Sequence, residues 1–210
     1  MDDRHRLRTD TDNGMLLIIS GPSGVGKTTI TRGVERTIAD SVFSVSVTTR
    51  PKTDADVEGV DYHFVSDDQF ESMRSDGALL ESADVFGKKY GTPRKWVEEQ
   101  LDRGRLVILE IDVDGAKQVK AAMPEAFALF ILPPDEGELL RRLRDRKRED
   151  EDAIQRRFGE AQREMREARE SEAYDSFLIN HEVDAAIAGA VEQNQTERAR
   201  RARRPADNLG

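Results

Sequence analysis

The sequence predicts an α/β fold in which helices cover both faces of a central parallel sheet. A mixed, strand-rich insert and a pair of charged helices interrupt it. Three observations lead there. The segment Gly21-Pro-Ser-Gly-Val-Gly-Lys27-Thr28 lies between an apolar run and a helical pattern. Short apolar runs alternate with helical periodicity along the chain, as a parallel sheet requires. Two segments, 50–95 and 135–173, break that alternation.

Residues 1–13 are polar and charged and are expected to form a flexible tail; the domain is expected over 14–193. Met15–Ser20 is apolar enough to read as a buried parallel strand. The next eight residues fit G-x-x-x-x-G-K-[ST], the phosphate-binding P-loop. A chance match in a chain this long is on the order of one in a hundred. Gly21, Gly24 and Gly26 permit the sharp turn that brings backbone N–H groups to phosphate oxygens. Pro22, Ser23 and Val25 complete the loop, and Thr29 follows it into a helix carrying Ile30, Val34 and Ile38 at helical spacing. The helix N-terminus adds partial positive charge. Lys27 can reach the β- and γ-phosphates, and Thr28 can offer its hydroxyl to Mg²⁺. The loop therefore predicts binding of a nucleoside triphosphate and leaves its fate open.

Further strands are expected at 42–47, 106–111, 127–132 and 177–179. The insert contains two β-like pieces, 62–65 and 79–86, and a short helix over 67–75. In 135–173 a sparse apolar stripe (Leu139, Leu140, Leu143, Ile154, Phe158, Met165) predicts paired helices, either a closing lid or a hairpin that only covers the sheet. Residues 194–210 carry Arg198, Arg200, Arg201, Arg203 and Arg204 and read as a basic, frayed end.

A length of 210 residues suits one domain with mobile subdomains. The net charge of −9 argues against nonspecific binding to nucleic acid. No cysteine is present, which excludes disulfides and thiolate metal sites and fits a reducing cytosol. No apolar run approaches membrane-spanning length, and the first residues lack a signal-peptide core. The expectation is a soluble, cytoplasmic protein; monomer and homo-oligomer both stay open.

Behind the P-loop come, in order, Phe43-Ser-Val-Ser-Val-Thr-Thr-Arg50, Val57-Glu-Gly-Val-Asp-Tyr-His-Phe64, Leu80-Glu81, Tyr90-Gly-Thr92, Ile108-Leu-Glu-Ile-Asp112, Arg142-Leu143 and Asn180. In this order and spacing the chain resembles guanylate kinases over roughly residues 15–193. The resemblance implies a P-loop NTPase fold with a GMP-binding insert and a helical lid. It implies transfer of the γ-phosphoryl group of ATP to GMP with Mg²⁺, in purine nucleotide metabolism.

The resemblance also assigns roles. Ser46, Arg50, Tyr62 and Tyr90 match positions that hold the acceptor phosphate, a task suited to the arginine fork. Glu81 and Thr92 match positions that read the base. A carboxylate can accept from guanine N1–H and the exocyclic amino group together, a donor pair that adenine lacks. Asp112 matches a position near guanine and phosphates, and its place before a helix also suits an N-cap. Arg142, Arg146 and Arg157 match lid arginines that stabilise the transferring group; Arg141, Arg144, Arg148 and Arg156 read as solvated neighbours. Asn180 matches a residue near the adenine. Lys27, Arg50, Arg142, Arg146 and Arg157 form the expected catalytic set, and no side chain acts as a nucleophile.

The chain departs from the family pattern at Thr53, where a second phosphate-binding arginine is usual, and at Ala55 and Asp56, where glycine and glutamate are usual. Lys88 and Lys89 also depart from it and could partly replace that arginine. Glu110 stands where aspartate is usual. Two alternatives stay open at this stage. One is a non-catalytic module of the same fold that holds phosphopeptides. The other is a kinase with a different phosphorylated acceptor.

Overall fold

The computed structural model describes residues 14–85, 87–145 and 150–203. The expected tail over 1–13, Phe86, Arg146, Arg148 and Arg204 lie outside the described residues.

Strand β1 (Met15–Ser20) is buried along its whole length. Its alternate side chains serve two cores. Met15, Leu17 and Ile19 pack on one face, and Leu16 and Ile18 on the other. A strand buried on both faces needs no polar side, which is why this run is continuously apolar. Helix α1 (Lys27–Thr37) follows the P-loop and buries Ile30 and Val34 against the first face.

The expected strand over 42–47 divides in two: β2 (Ser41–Phe43) and β3 (Val47–Thr48). Ser44 N–H still donates to the Ile108 carbonyl at 3.0 Å, after which the chain leaves the parallel sheet. β3 then joins a second sheet with β4 (His63–Phe64), β5 (Leu79–Val85) and β6 (Lys88–Pro93), in the order β4-β3-β6-β5. The β3–β4 pairing is parallel; β3–β6 and β5–β6 are antiparallel. This is the mixed insert. Its helix α2 (Asp67–Ser75) starts at a capping box: Ser66 accepts from Gln69 N–H, and the Gln69 side chain accepts from Ser66 N–H.

The chain returns to the core through α3 (Arg94–Asp102), β7 (Leu106–Glu110), α4 (Val113–Ala122) and β8 (Phe127–Leu132). α3 and α4 cover the second face with Val97, Ala116 and Val119. Two charged helices follow, α5 (Glu136–Asp145) and α6 (Glu151–Glu170), then β9 (Ser176–Ile179) and α7 (Val183–Ala202). The main sheet runs β2-β7-β1-β8-β9, and every pairing in it is parallel. The apolar stripe of α5 and α6 is packed with Phe130 and Leu132 of β8 and Val113 of α4.

The C-terminal end differs from the expectation. Through residue 202 it continues α7 instead of fraying. Asn194 and Arg198 are buried there, and Arg198 forms two hydrogen bonds with Asp40, at 2.7 and 3.2 Å. Alanines at 186 and 190, with Val191, let α7 lie close to the sheet, and Gly33 of α1 meets Ile187 of α7. The arginine-rich composition hid this buried face.

Candidate active site

The P-loop connects the C-terminal end of β1 to α1. Gly21, Gly24 and Gly26 all have positive φ, at 155°, 88° and 96°. Gly26 is the N-cap of α1 in the left-handed region, and a Cβ there would stand 3.0 Å from Asn180 Nδ2. Only glycine satisfies both the dihedral and the space. Val25 contributes backbone alone, because its side chain is in the core. Lys27 Nζ lies over the loop and donates to the Gly21 carbonyl at 2.6 Å and the Pro22 carbonyl at 3.2 Å. Thr28 and Thr29 are exposed at the start of α1. Thr28 Oγ1 donates to Glu110 Oε1, at the end of β7, at 2.7 Å.

Asn180 sits under the loop. It is 1% exposed, and its Nδ2 donates to the Val25 carbonyl at 2.8 Å. Its side chain thus holds the loop backbone. Its own carbonyl accepts from Arg142 Nη2 at 3.0 Å, and Arg142 Nε donates to Glu138 at 2.7 Å. From α6, Arg157 Nη2 donates to Ser23 Oγ at 2.5 Å, so α6 reaches the P-loop directly.

A cleft of about 230 Å³ joins the P-loop to the insert. It is lined by Gly21 and Lys27 from the loop, by Ser46, Tyr62, Glu81 and Tyr90 from the insert side, and by Glu110 and Asp112 after β7. The Tyr62 and Tyr90 rings meet edge to face at 5.6 Å. Glu81 is buried and accepts from Thr92 Oγ1 at 2.7 Å across the β5–β6 pair. Burial pushes the Glu81 carboxyl up to about 7; the Thr92 hydroxyl opposes this, and Asp112 adds to it. Asp112 caps α4, as expected, by accepting from Gly115 N–H at 2.7 Å, and it also lines the cleft.

Arg50 is not among the residues lining this cleft. Its two Nη atoms form a bidentate pair with Asp56, at 3.0 and 2.7 Å, and its guanidinium lies 5.1 Å from the Tyr62 ring centre and 5.5 Å from that of Phe64. Lys89 does not stand in for a second arginine at the cleft. Its ammonium pairs with Asp67 at 3.0 Å and Glu71 at 2.6 Å on α2. Neighbouring strand residues point to opposite faces, so Tyr90 at the cleft turns Lys89 away from it.

A larger cleft, of about 820 Å³, opens between α6 and the start of α4. Arg156, Arg157, Glu160, Arg163, Glu164 and Glu167 line it from α6. Arg156, expected to be a solvated neighbour, therefore faces the cleft, and sequence reasoning did not single out Arg163 or Glu164. Their spacing is the available signal: these charges recur every three or four residues, opposite the apolar stripe. Glu164 borders both clefts; burial raises its carboxyl above the ordinary range against the pull of Lys27. Arg146 lies outside the described residues.

These elements define a P-loop phosphotransferase, with the P-loop and the insert meeting at one cleft that includes Lys27. A family model described as guanylate kinase matches residues 13–194. The guanylate kinase of Anaeromyxobacter dehalogenans is 43% identical over 192 residues, covering 91% of this chain and 84% of that protein. That of Coxiella burnetii is 40% identical, covering 89% of each. The crystal structure of guanylate kinase from Anaplasma phagocytophilum superposes with a TM-score of 0.70 at 30% identity, over 95% of this chain and 92% of that one. The chain belongs to the guanylate kinase family. Among the described residues no helix is long and apolar enough to cross a membrane.

Proposed function

We infer that this chain transfers the γ-phosphoryl group of ATP to GMP, giving ADP and GDP. The observation that carries the reading is the single cleft that brings Lys27 of an intact P-loop together with Glu81, Tyr62 and Tyr90. Residues 50–95 serve as the acceptor-binding insert and 135–173 as the lid. In this reading the P-loop amides from Gly21 to Thr29 cradle the ATP phosphates, and Asn180 keeps that loop in shape. Glu81 accepts from guanine N1–H and its amino group. Thr92 fixes the carboxylate, and Ser46, Tyr62, Tyr90 and Arg50 hold the acceptor phosphate.

An oxygen of that phosphate attacks the γ-phosphorus in line, and the ADP oxygen leaves. No protein nucleophile is needed, so the rate comes from alignment and from positive charge around the equatorial oxygens. Lys27, Arg142 and Arg157 supply that charge, and the position of Arg146 in the sequence suits the same task.

The residues fit Mg²⁺. Thr28 and Glu110 place a hydroxyl and a carboxylate side by side at the P-loop. Among the described residues no cluster of three or more acidic or histidine ligands forms an all-protein cage. Mg²⁺ bound with nucleotide uses few protein oxygens and completes its shell with phosphate and water. When bound, the ion would neutralise charge on the β- and γ-phosphates.

The test is ADP formation with Mg-ATP, comparing GMP with AMP, CMP and UMP. Turnover with GMP alone supports the reading. Turnover with none of them, despite Mg-ATP binding, moves the assignment to another phosphorylated acceptor. Failure to bind Mg-ATP points to the phosphopeptide module.

A further inference from the structure

We propose that Asp56, held by Thr53, is the positioning residue that orients Arg50 towards the acceptor phosphate. The inference rests on the GMP-kinase reading. A guanidinium has two edges that can each make a bidentate contact: the end edge, made of both Nη atoms, and the side edge, made of Nε and one Nη. In Arg50 the end edge is taken. Nη1 donates to Asp56 Oδ2 at 3.0 Å and to the Pro51 carbonyl at 3.3 Å, and Nη2 donates to Asp56 Oδ1 at 2.7 Å. Nε makes no hydrogen bond among the described residues. The whole side edge is left for a second anion.

The carboxylate itself cannot swing easily. Thr53 N–H and Thr53 Oγ1 both donate to Asp56 Oδ2, each at 2.7 Å. The bidentate Arg50 pair and the Thr53 bonds hold the Asp56 carboxyl well below the usual carboxylate range, so it stays charged across the working pH. Phe64 and Tyr62 flank the guanidinium by their rings, and Tyr62 in turn meets Tyr90 in the cleft. Arg50 is thus gripped at its far end by an anion that is itself gripped, next to the two tyrosines that border the cleft. Thr53 does not supply a second phosphate-binding cation; it makes the first one rigid. Pre-orienting a flexible, rotamer-rich side chain lowers the entropy lost when it binds.

The experiment compares wild type with Asp56→Asn, Thr53→Val and Thr53→Ser, measuring KM for GMP, KM for ATP and kcat. Asp56→Asn keeps the shape but cannot accept from both Nη atoms; KM for GMP is expected to rise about tenfold, with KM for ATP and kcat within about twofold. Thr53→Val should raise KM for GMP severalfold, and Thr53→Ser, which keeps the hydroxyl, should restore it. A merely structural role would move both KM values or the melting temperature, with no rescue by serine. A fall in KM for GMP in Asp56→Asn would overturn the proposal, because the carboxylate would then be competing with the acceptor. An unchanged KM would overturn it too. If Asp56→Asn does not fold, the valine and serine pair decides alone. Wild-type protein that leaves GMP untouched defeats the functional reading; wild-type turnover with unaltered variants defeats only this inference.

Discussion

Asn180 Nδ2 donates to the Val25 carbonyl at 2.8 Å, tying the chain just after β9 to the crest of the P-loop. The two residues are far apart in sequence, and both are buried. The bond fixes the loop from beneath, so the amides above it are shaped before a phosphate arrives. Asn180→Ala leaves a buried carbonyl without its donor, a loss of about 1–3 kcal/mol. The expected outcome is a rise in KM for ATP with little change in KM for GMP, together with a lower melting temperature. Nucleotide titration and thermal denaturation check both.

Glu81 should impose a pH dependence on acceptor use. Its carboxyl is raised from an ordinary 4.5 to about 7 by burial, and only the ionised form accepts from both guanine donors. kcat/KM for GMP should therefore rise with pH through about 7 and level off above it. Glu81→Gln should lose that limb and most activity with GMP.

The same raised value has a stability consequence with a definite sign. The folded state holds the Glu81 proton more tightly than the unfolded state does. Its contribution is fully present below pH 4.5 and is lost as pH rises through about 7. The full cost is about 3 kcal/mol. Glu81→Gln should thus be more stable than wild type at pH 8 and show little difference at pH 4, as denaturant melts at the two values would read.

Gly115 offers a test of the base site without replacing any of its expected ligand residues. A Cβ there would stand 3.0 Å from Glu81 Oε2 and 3.2 Å from Asp112 Oδ1. Gly115→Ala must push one carboxylate aside, although alanine favours the helix by about 1 kcal/mol. KM for GMP should rise severalfold while KM for ATP stays put, a split that steady-state kinetics resolves.

The end of α7 should behave as core. Arg198 is buried and paired with Asp40 at 2.7 Å, in the turn between α1 and β2. Arg198→Ala leaves Asp40 without this partner and should cost about 3 kcal/mol, the lower end for a broken buried pair because Asp40 is partly exposed. Truncation after residue 193 should cost more. A melting temperature unchanged by truncation would contradict this packing.

Much of this architecture is legible in the sequence because periodicity and glycine spacing record it directly. β1, the P-loop and β8 are continuous apolar or glycine-rich signals, and α2 lies over the residues expected for it. The run over 42–47 is different. Its apolar alternation is real, but hydrogen-bond partners, not composition, decide that β2 joins one sheet and β3 the other. Arg198 shows a second limit, because a buried arginine and a solvated one have the same letter, and only Asp40 across the fold distinguishes them. In the site, Glu81 and Tyr90 stand out through their resemblance to a family. Arg163 and Glu164 are hidden in a helix crowded with charge until the clefts show which face is turned inward.

β5 begins in the core and ends in solvent. Leu80 packs with Leu16, Ile18 and Val97, Glu81 beside it is buried, and by Val85 the strand is exposed. In the proposed function, recognition of the base is therefore built onto the core of the main domain, next to Leu80. Arg50 and Tyr62, proposed to hold the phosphate, instead flank β3 and β4 of the insert's own sheet. Identity and phosphate would thus be read by two separately supported parts of one cleft.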